Sequence, residues 1–216
     1  MAIAKGTKFI VLFLLAFSAL CVVLSFVIWY LTSFFWHFII LGLIVIASSF
    51  LVWTFRNPKR SVSIDINKIL APADGRIMEV EEKEGIIYCL IRMSPFDVHM
   101  TRSPIKGKVM KTAFKKGSHW PAYFPNYAMK NQRNKIEIID EVGNINAIVT
   151  QISGIFARRT VAYVKVGDSV KQGEVIGTIR FGSLTSLEIK SDKKFKFKIG
   201  KSDVVRAGKT VLAECD

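Results

Sequence analysis

Three short stretches hold the residues with the greatest chemical reach: Arg180-Phe181-Gly182-Ser183, Ser94-Pro95-Phe96-Asp97-Val98-His99 and Pro72-Ala73-Asp74-Gly75. In the first, a serine hydroxyl follows a glycine at the end of the strand-like run Val175 to Ile179. Glycine has no Cβ and tolerates strained backbone, so a kink there lets the Ser183 hydroxyl reach the Gly182 carbonyl. The amide would become an ester, β-elimination at Ser183 would break the chain, and the dehydroalanine left behind would hydrolyse to a pyruvoyl group. A terminal ketone condenses with amines and accepts an electron pair, which no side chain does. Gly-Ser is also ordinary turn chemistry, so the pair alone does not decide between the two uses.

His99 is the natural general base near neutral pH. Asp74 occupies a Pro-Ala-Asp-Gly turn, where aspartate is a routine turn former, and Asp97 can equally cap the Ser-Pro turn. His119, in Gly117-Ser118-His119-Trp120, has no acidic neighbour and ranks below His99. Two clusters offer donors for an anion: Asn131-Gln132-Arg133-Asn134 and Arg158-Arg159. Adjacent arginines on a strand face opposite ways, so one can enter a site, and guanidinium forks suit phosphate and carboxylate. The run Lys193 to Lys198 reads as solvated charge. Cys21, Cys89 and Cys215 form no pattern, which argues against a disulfide framework or a metal site.

Any such site must be carried by the elements around it. Phe9 to Leu31 and Phe34 to Phe55 contain no charged residue, and each is long enough to cross a hydrocarbon core as a helix. Two tandem spans without a small-residue cleavage site argue against a signal peptide. Trp29, Tyr30, Trp36 and Trp53 stand near the span ends, as an aromatic belt would. Lys5 and Lys8 precede the first span, Arg56, Lys59 and Arg60 follow the second, and the turn between has neither Lys nor Arg. The positive-inside rule then predicts a cell-membrane protein with both ends in the cytoplasm. Residues 56 to 216 carry 29 of the 31 basic residues and all 17 acidic ones, hence +12 net. That charge fits an anionic membrane surface or an anionic phospholipid, and no nucleic-acid motif accompanies it.

After Asn57-Pro58, strands dominate. Ser61 to Ile66 alternates with period two, Ile69 to Ile77 reads as strand, turn, strand, and Ile86 to Met93, Ile136 to Ile139 and Ile145 to Ile152 add more. The region from Phe114 to Lys135 is left as one helix or a long loop. Two repeats recur: Pro-x-x-Gly-x-hydrophobic at Pro72 and Pro104, and Gly-x-x-Val-x-x-Gly at Gly167 and, with one residue inserted, at Gly200. Such glycines mark tight turns with positive φ, as in lipoyl-type barrel-sandwich domains, but no lysine attachment motif is present. The fold predicted is mostly β: a helical membrane hairpin over 1–56, spans about 9–31 and 34–55, then a compact antiparallel β domain over 57–216 with barrel-sandwich features. A membrane-tethered adaptor of the same fold, without enzymatic activity, is the rival reading.

In this order, Phe55-Arg56-Asn57-Pro58, Ala71-Pro72-Ala73-Asp74-Gly75, Ser94 to His99, Asn131 to Asn134, Ala157-Arg158-Arg159 and Arg180 to Ser183 resemble the short, single-hairpin form of the phosphatidylserine decarboxylase family, whose archaeal members act on archaetidylserine. The resemblance implies self-cleavage between Gly182 and Ser183 into chains 1–182 and 183–216 of one precursor, with a pyruvoyl group on Ser183. It implies an imine with the amine of a serine-headgroup lipid, loss of CO₂ and release of the ethanolamine lipid. Asp74 and His99 match positions tied to processing and catalysis. Arg158, Arg159, Arg133, Asn131, Asn134 and Arg102 are the implied substrate contacts, and a homo-oligomer stays open. Larger enzymes of the family have two histidines three residues apart, whereas His99 is followed here by Arg102, which cannot be a base. That leaves the split between self-cleavage and decarboxylation open, with His99 as a candidate for both. Leu184-Thr185-Ser186-Leu187 also departs from the family's Arg-Val-Asp-Val.

Overall fold

The computed structural model describes residues 2–3, 7–32, 35–62, 64–83, 85–120, 130–154, 159–179 and 183–215. It forms two compact units, Met1–Pro58 and Lys59–Asp216.

The first unit holds α1 (Lys8–Thr32) and α2 (Trp36–Thr54), and β1 (Ala2–Ile3) pairs with β2 (Arg56–Asn57). Unbroken Leu, Ile, Val and Phe without proline makes these segments helical, and their mean hydropathies of 3.0 and 2.1 leave little water-seeking surface. At about 1.5 Å per residue both are long and apolar enough to cross a membrane. Their hydroxyls turn back onto the helix: Ser18 donates to the Leu14 carbonyl at 2.8 Å and Thr32 to that of Ile28 at 2.7 Å. At the end of α2 the Arg56 guanidinium stacks 3.5 Å above the Trp53 ring.

The second unit is built from β3 (Lys68–Leu70), β4 (Gly75–Lys83), β5 (Ile86–Met93), β6 (Met100–Arg102), β7 (Gly107–Lys115), β8 (Arg133–Asp140), β9 (Ile145–Ile152), β10 (Thr160–Ala162), β11 (Ser169–Val170), β12 (Val175–Ile179), β13 (Ser183–Ser191), β14 (Phe195–Phe197), β15 (Val204–Val205) and β16 (Val211–Cys215). All their pairings are antiparallel. They form an eight-stranded sheet, β11-β7-β8-β9-β13-β5-β4-β15, and two three-stranded sheets, β10-β12-β6 and β14-β16-β3. The expected antiparallel β architecture is thus present. Alternation sends Ile77, Ile91, Ile136, Ile138, Val149 and Leu187 of the large sheet into one core, where they meet Ile69 of β3 and Ile176 of β12. Each such side chain contributes about 1.5–3 kcal/mol of apolar burial.

Two expectations change. No described residue of 61–66 lies in a strand. Asp65 instead forms a local turn, its carboxylate accepting the Asn67 N–H at 2.9 Å. Its own N–H goes to the Gln172 side chain at 2.8 Å, so an amide replaces a partner strand. In the Gly-x-x-Val-x-x-Gly turns, Gly167, Gly173 and Gly208 have φ of +95°, +77° and +67°, but Gly200 does not join them. The inserted residue moves the left-handed position to Ser202, at φ +75°. Of the region left open between Phe114 and Lys135, residues 121–129 lie outside the described ones. Its ends are held by the bridge between Ser118 and Asn131.

Candidate active site

Two connections run between the same two sheets. Residues 94–99 lead from β5 to β6, and residues 180–182 lead from β12 to β13. Their ends are fastened together. Ser183 lies opposite Met93 in the β13–β5 register. At the other end, the His99 carbonyl accepts the Ile179 N–H at 3.0 Å and the Thr178 hydroxyl at 2.8 Å. Ile179 and Ser183, the described residues on either side of 180–182, therefore both lie beside the segment that carries His99, which is 2% exposed. Arg180, Phe181 and Gly182 lie outside the described residues, as does Arg158. Within 94–99, the Asp97 carboxylate accepts the Ser94 N–H at 2.7 Å, so Asp97 is a turn cap. Phe96 is exposed on the same turn.

Around this crossing the buried layer changes character from apolar to polar. Thr101, Gln151, Thr178 and Thr185 are all at most 1% exposed. Gln151 continues the inward face of Ile145, Ala147 and Val149, and its Nε2 donates to Thr101 Oγ1 at 3.0 Å, tying the two sheets together. It fits because residue 177 is glycine: a Cβ there would stand 2.5 Å from Nε2. Sequence reasoning missed this layer. The signal was a glutamine and threonines at inward positions of otherwise apolar strands. Cys89 is buried nearby in β5, and burial pushes its thiol up to about 12, so it stays protonated and inert as a nucleophile.

Asp74 precedes Gly75, the first residue of β4, and the register Arg76–Arg92–Leu184 sets it at the same end of the sheet as Ser183, two strands away. Its carboxylate is fully engaged. Nη1 and Nη2 of Arg60 each donate to it at 2.6 Å, and the Ala207 N–H adds a third bond at 2.8 Å. Arg60 also reaches the Ala207 carbonyl at 2.5 Å. Arg60, which the sequence had shown only as one of the cations after the second span, is thus a buried structural partner. Arg102 is 7% exposed, and its Nη1 donates to the Gly173 carbonyl at 2.8 Å. Burial first, and then the neighbouring Arg60 charge, lower its pKa, with Asp74 opposing.

The other expected substrate contacts separate. Asn131 is buried, and its amide is spent internally: Nδ2 donates to the Trp120 and Ser153 carbonyls, and Oδ1 accepts the Trp120 N–H, each at 2.8 Å. It clamps the 118–120 loop to the end of β9. Asn134 faces inward and is buried, whereas Arg133 is half-buried on the outer face at the start of β8. Arg159 is exposed. His119, ranked second by sequence, reaches this sheet end: its Nδ1 lies 3.1 Å from Ser153 Oγ, one residue past Ile152, which pairs with Leu184. Among the described residues no cluster of His, Cys, Asp and Glu could hold a metal.

A sequence model of the family described as phosphatidylserine decarboxylase matches residues 47–213. The chain is 41% identical over 175 residues to the putative archaetidylserine decarboxylase proenzyme of Archaeoglobus fulgidus, covering 81% of this chain and 83% of that one. It is 39% identical over 164 residues to the corresponding protein of Methanosarcina acetivorans, covering 76% and 74%. It is 32% identical over 200 residues to the phosphatidylserine decarboxylase proenzyme of Carboxydothermus hydrogenoformans, covering 82% and 92%. The non-enzymatic adaptor reading falls with these matches, and the chain belongs to the phosphatidylserine decarboxylase family of enzymes.

Proposed function

We propose that this protein decarboxylates a serine-headgroup phospholipid to its ethanolamine counterpart, after cutting itself between Gly182 and Ser183. The observation that carries the reading is that Ile179 and Ser183, on either side of Gly182, are each paired with an end of the 94–99 segment, through Ser183–Met93 and Ile179–His99. A base must come within hydrogen-bond reach of the hydroxyl it activates. His99 takes the Ser183 proton, the oxygen attacks the Gly182 carbonyl, and the Ser183 nitrogen leaves as an amine. Loss of the Cα proton then expels the Gly182 carboxylate from Cβ. Water releases ammonia from the dehydroalanine and leaves the ketone. A pyruvoyl group at the head of β13 would supply an electrophile for the substrate amine and a sink for the electron pair left by CO₂. A layer of buried hydroxyls and amides around the crossing suits such a small polar group.

The chain's own residues then bind and orient. An arginine, Arg133 or one of Arg158 and Arg159, holds the headgroup phosphate so that the breaking bond is aligned. Phe96, with Phe181, lines the carboxylate side, because a tight clamp on the charged ground state would oppose departure of neutral CO₂. His99 returns the proton. Asp74 acts through Arg60 and Ala207 as a positioning residue. The two apolar helices tether the domain to the membrane, and Lys5, Lys8, Arg56 and Lys59 set it on the cytoplasmic side.

Intact mass is the direct test. Protein incubated in membranes should resolve into pieces of 182 and 34 residues, and Ser183→Ala should stay one chain. Wild-type protein that remains full-length would count against the proposal. Labelled serine phospholipid should yield labelled CO₂ and an ethanolamine lipid, and release from free serine at similar efficiency would overturn the substrate class.

A further inference from the structure

Gln151 combines full burial with an unmet polar atom. It is 0% exposed, and its Nε2 is spent on Thr101 Oγ1 at 3.0 Å. Among the described residues nothing donates to its Oε1. A buried acceptor without a donor costs stability, so a glutamine held in this state calls for a reason outside the fold. Thr150 and Asn146 also hold unpartnered oxygens, but both sit on the alternate face of β9, away from the space between the sheets. Thr160 adds a second such oxygen near Gly182-Ser183. It is 7% exposed, its Oγ1 is unpartnered among the described residues, and it stands opposite Ile179, the residue that enters 180–182.

Three neighbours fix the place of the Gln151 amide, each two residues from the crossing of the two connections. Thr101 lies two residues past His99, Gly177 two before Ile179, and Thr185 two past Ser183. Thr101 holds the amide by its hydrogen bond, and Gly177 leaves it the room. Thr185 stands directly opposite Gln151 in the β13–β9 register, so the backbones of Gln151 and Ser183 are diagonal neighbours about 7–8 Å apart. A small headgroup bound at Ser183 therefore comes within reach of this amide.

The chemistry of a fitting partner follows from the atom. A carboxamide oxygen accepts hydrogen bonds and cannot donate them. In a serine-headgroup phospholipid the phosphodiester and the carboxylate also only accept at neutral pH, and the amino group is the donor. We propose that Gln151 is the residue that recognises this amine: its Oε1 receives an N–H of the substrate's amino group, and Thr160 Oγ1 receives a second. A carboxylate in the same place would favour the protonated, unreactive amine. A neutral oxygen accepts from the ammonium and from the free amine alike, so it aligns the nitrogen without opposing the loss of its proton. The inference rests on the proposed serine-lipid reading and adds to it the residue that selects the headgroup nitrogen.

The test measures binding rather than turnover. Two short-chain phospholipids serve as probes, one with a dimethylethanolamine headgroup and one with a choline headgroup. Both are cationic at nitrogen and neither can condense with a ketone, but only the first carries an N–H. Full-length protein is left to self-cleave, checked by intact mass, and titrated with each lipid in detergent by calorimetry. The wild type should bind the dimethylethanolamine lipid at least about tenfold more tightly, the worth of one hydrogen bond from a charged donor. Gln151→Met keeps the side-chain length without the acceptor, and should abolish that preference while choline-lipid binding stays unchanged. Gln151→Glu keeps an oxygen and should keep the preference. Absence of the preference in the wild type, its survival in Gln151→Met or its loss in Gln151→Glu would overturn the proposal. So would equal weakening of both probes in Gln151→Met, because a merely structural amide would act that way. If Gln151→Met does not fold, the wild type and Gln151→Glu decide; if neither variant self-cleaves, Gln151 belongs to folding or cleavage and the proposal falls. A wild type that does not self-cleave overturns the decarboxylase reading and this inference with it. A cleaved wild type that releases CO₂ from a serine lipid but lacks the preference overturns this inference alone.

Discussion

The β unit contains the same construction twice. In one half, residues 71–77 receive the Gly200–Gly208 turn: the Gly208 N–H donates to the Ala71 carbonyl at 2.8 Å and the Ile77 N–H to that of Asp203 at 2.9 Å. In the other, residues 103–109 receive the Gly167–Gly173 turn: the Gly173 N–H donates to the Ser103 carbonyl and the Val109 N–H to that of Asp168, each at 2.8 Å. The halves also exchange bonds, Arg102 N–H to the Pro72 carbonyl at 2.8 Å and Leu70 N–H to that of Pro104 at 3.1 Å. Corresponding positions nevertheless differ in charge. Asp74 corresponds to Lys106, Arg102 to Leu70, and Ala207 to Gln172. One half closes on a neutral amide, with Gln172 Nε2 donating to the Lys68 carbonyl at 2.7 Å. The other closes on a buried ion pair, with Arg60 and Asp74 side chains only 7% and 10% exposed. Backbone geometry is shared, so the halves differ in their buried charge rather than in their scaffold. The charged half is also the one that stands at the Ser183 end of the large sheet.

The comparison is broken most severely at Asp74. Asp74→Ala strands the Arg60 guanidinium in a buried site and should cost about 3–5 kcal/mol, whereas Lys106→Ala at the matching position should stay within about 0.5 kcal/mol. Urea unfolding midpoints measure both. Restoring apolar packing with Arg60→Met in the Asp74→Ala background should recover most of the loss. Equal costs at the two positions would mean that the ion pair is incidental.

Next come the paired glycines, which test what the halves share. A Cβ on Gly75 would lie 2.2 Å from the Arg92 carbonyl oxygen, and one on Gly107 would lie 2.4 Å from that of Ile139. Both have left-handed φ, +148° and +158°. Gly75→Ala and Gly107→Ala should therefore destabilise alike, by about 3 kcal/mol or more. A large effect at only one of them would show that the duplication is superficial. Smaller still, Gln172→Ala removes an amide bound at both ends and should cost about 1–3 kcal/mol through the carbonyls it leaves unpaired.

Local chemistry made much of this legible. Uncharged runs announced the helices, Ile136 to Ile139 and Ile145 to Ile152 read as the strands β8 and β9, and Gly-x-x-Val-x-x-Gly announced the turns. His99 and Ser183 were singled out by residue type, and the structure pairs the ends of the segments around them. What could not be read was pairing across long sequence separations. Nothing local connects Arg60 to Ala207, Gln151 to Thr101, or Gln172 to Asp65. Ser61 to Ile66 alternates as a strand would, yet no partner strand was left for it, and a side-chain amide took that place.

The smallest expected effect on stability is also the sharpest question about function. Arg102 occupies the position held by Leu70 in the neutral half. Its lowered pKa means that the folded state disfavours its charge, chiefly through burial and then through Arg60. For a base, that sign makes the charge a destabilising contribution at every pH below the folded pKa, relieved only as pH rises through it. Arg102→Leu removes this penalty but leaves the Gly173 carbonyl without its 2.8 Å donor, a loss of about 1–3 kcal/mol. The two changes oppose each other, so the variant should lose less than the ~1–3 kcal/mol of the unpaired carbonyl alone. A residue that adds little to stability while holding a buried positive charge beside Asp74 would be a candidate for the chemistry itself. Arg102→Leu should accordingly fold normally yet lose self-cleavage or lipid decarboxylation, read by intact mass and by labelled CO₂. If both proceed at the wild-type rate in a protein of unchanged stability, the charge difference between the halves has no part in the reaction.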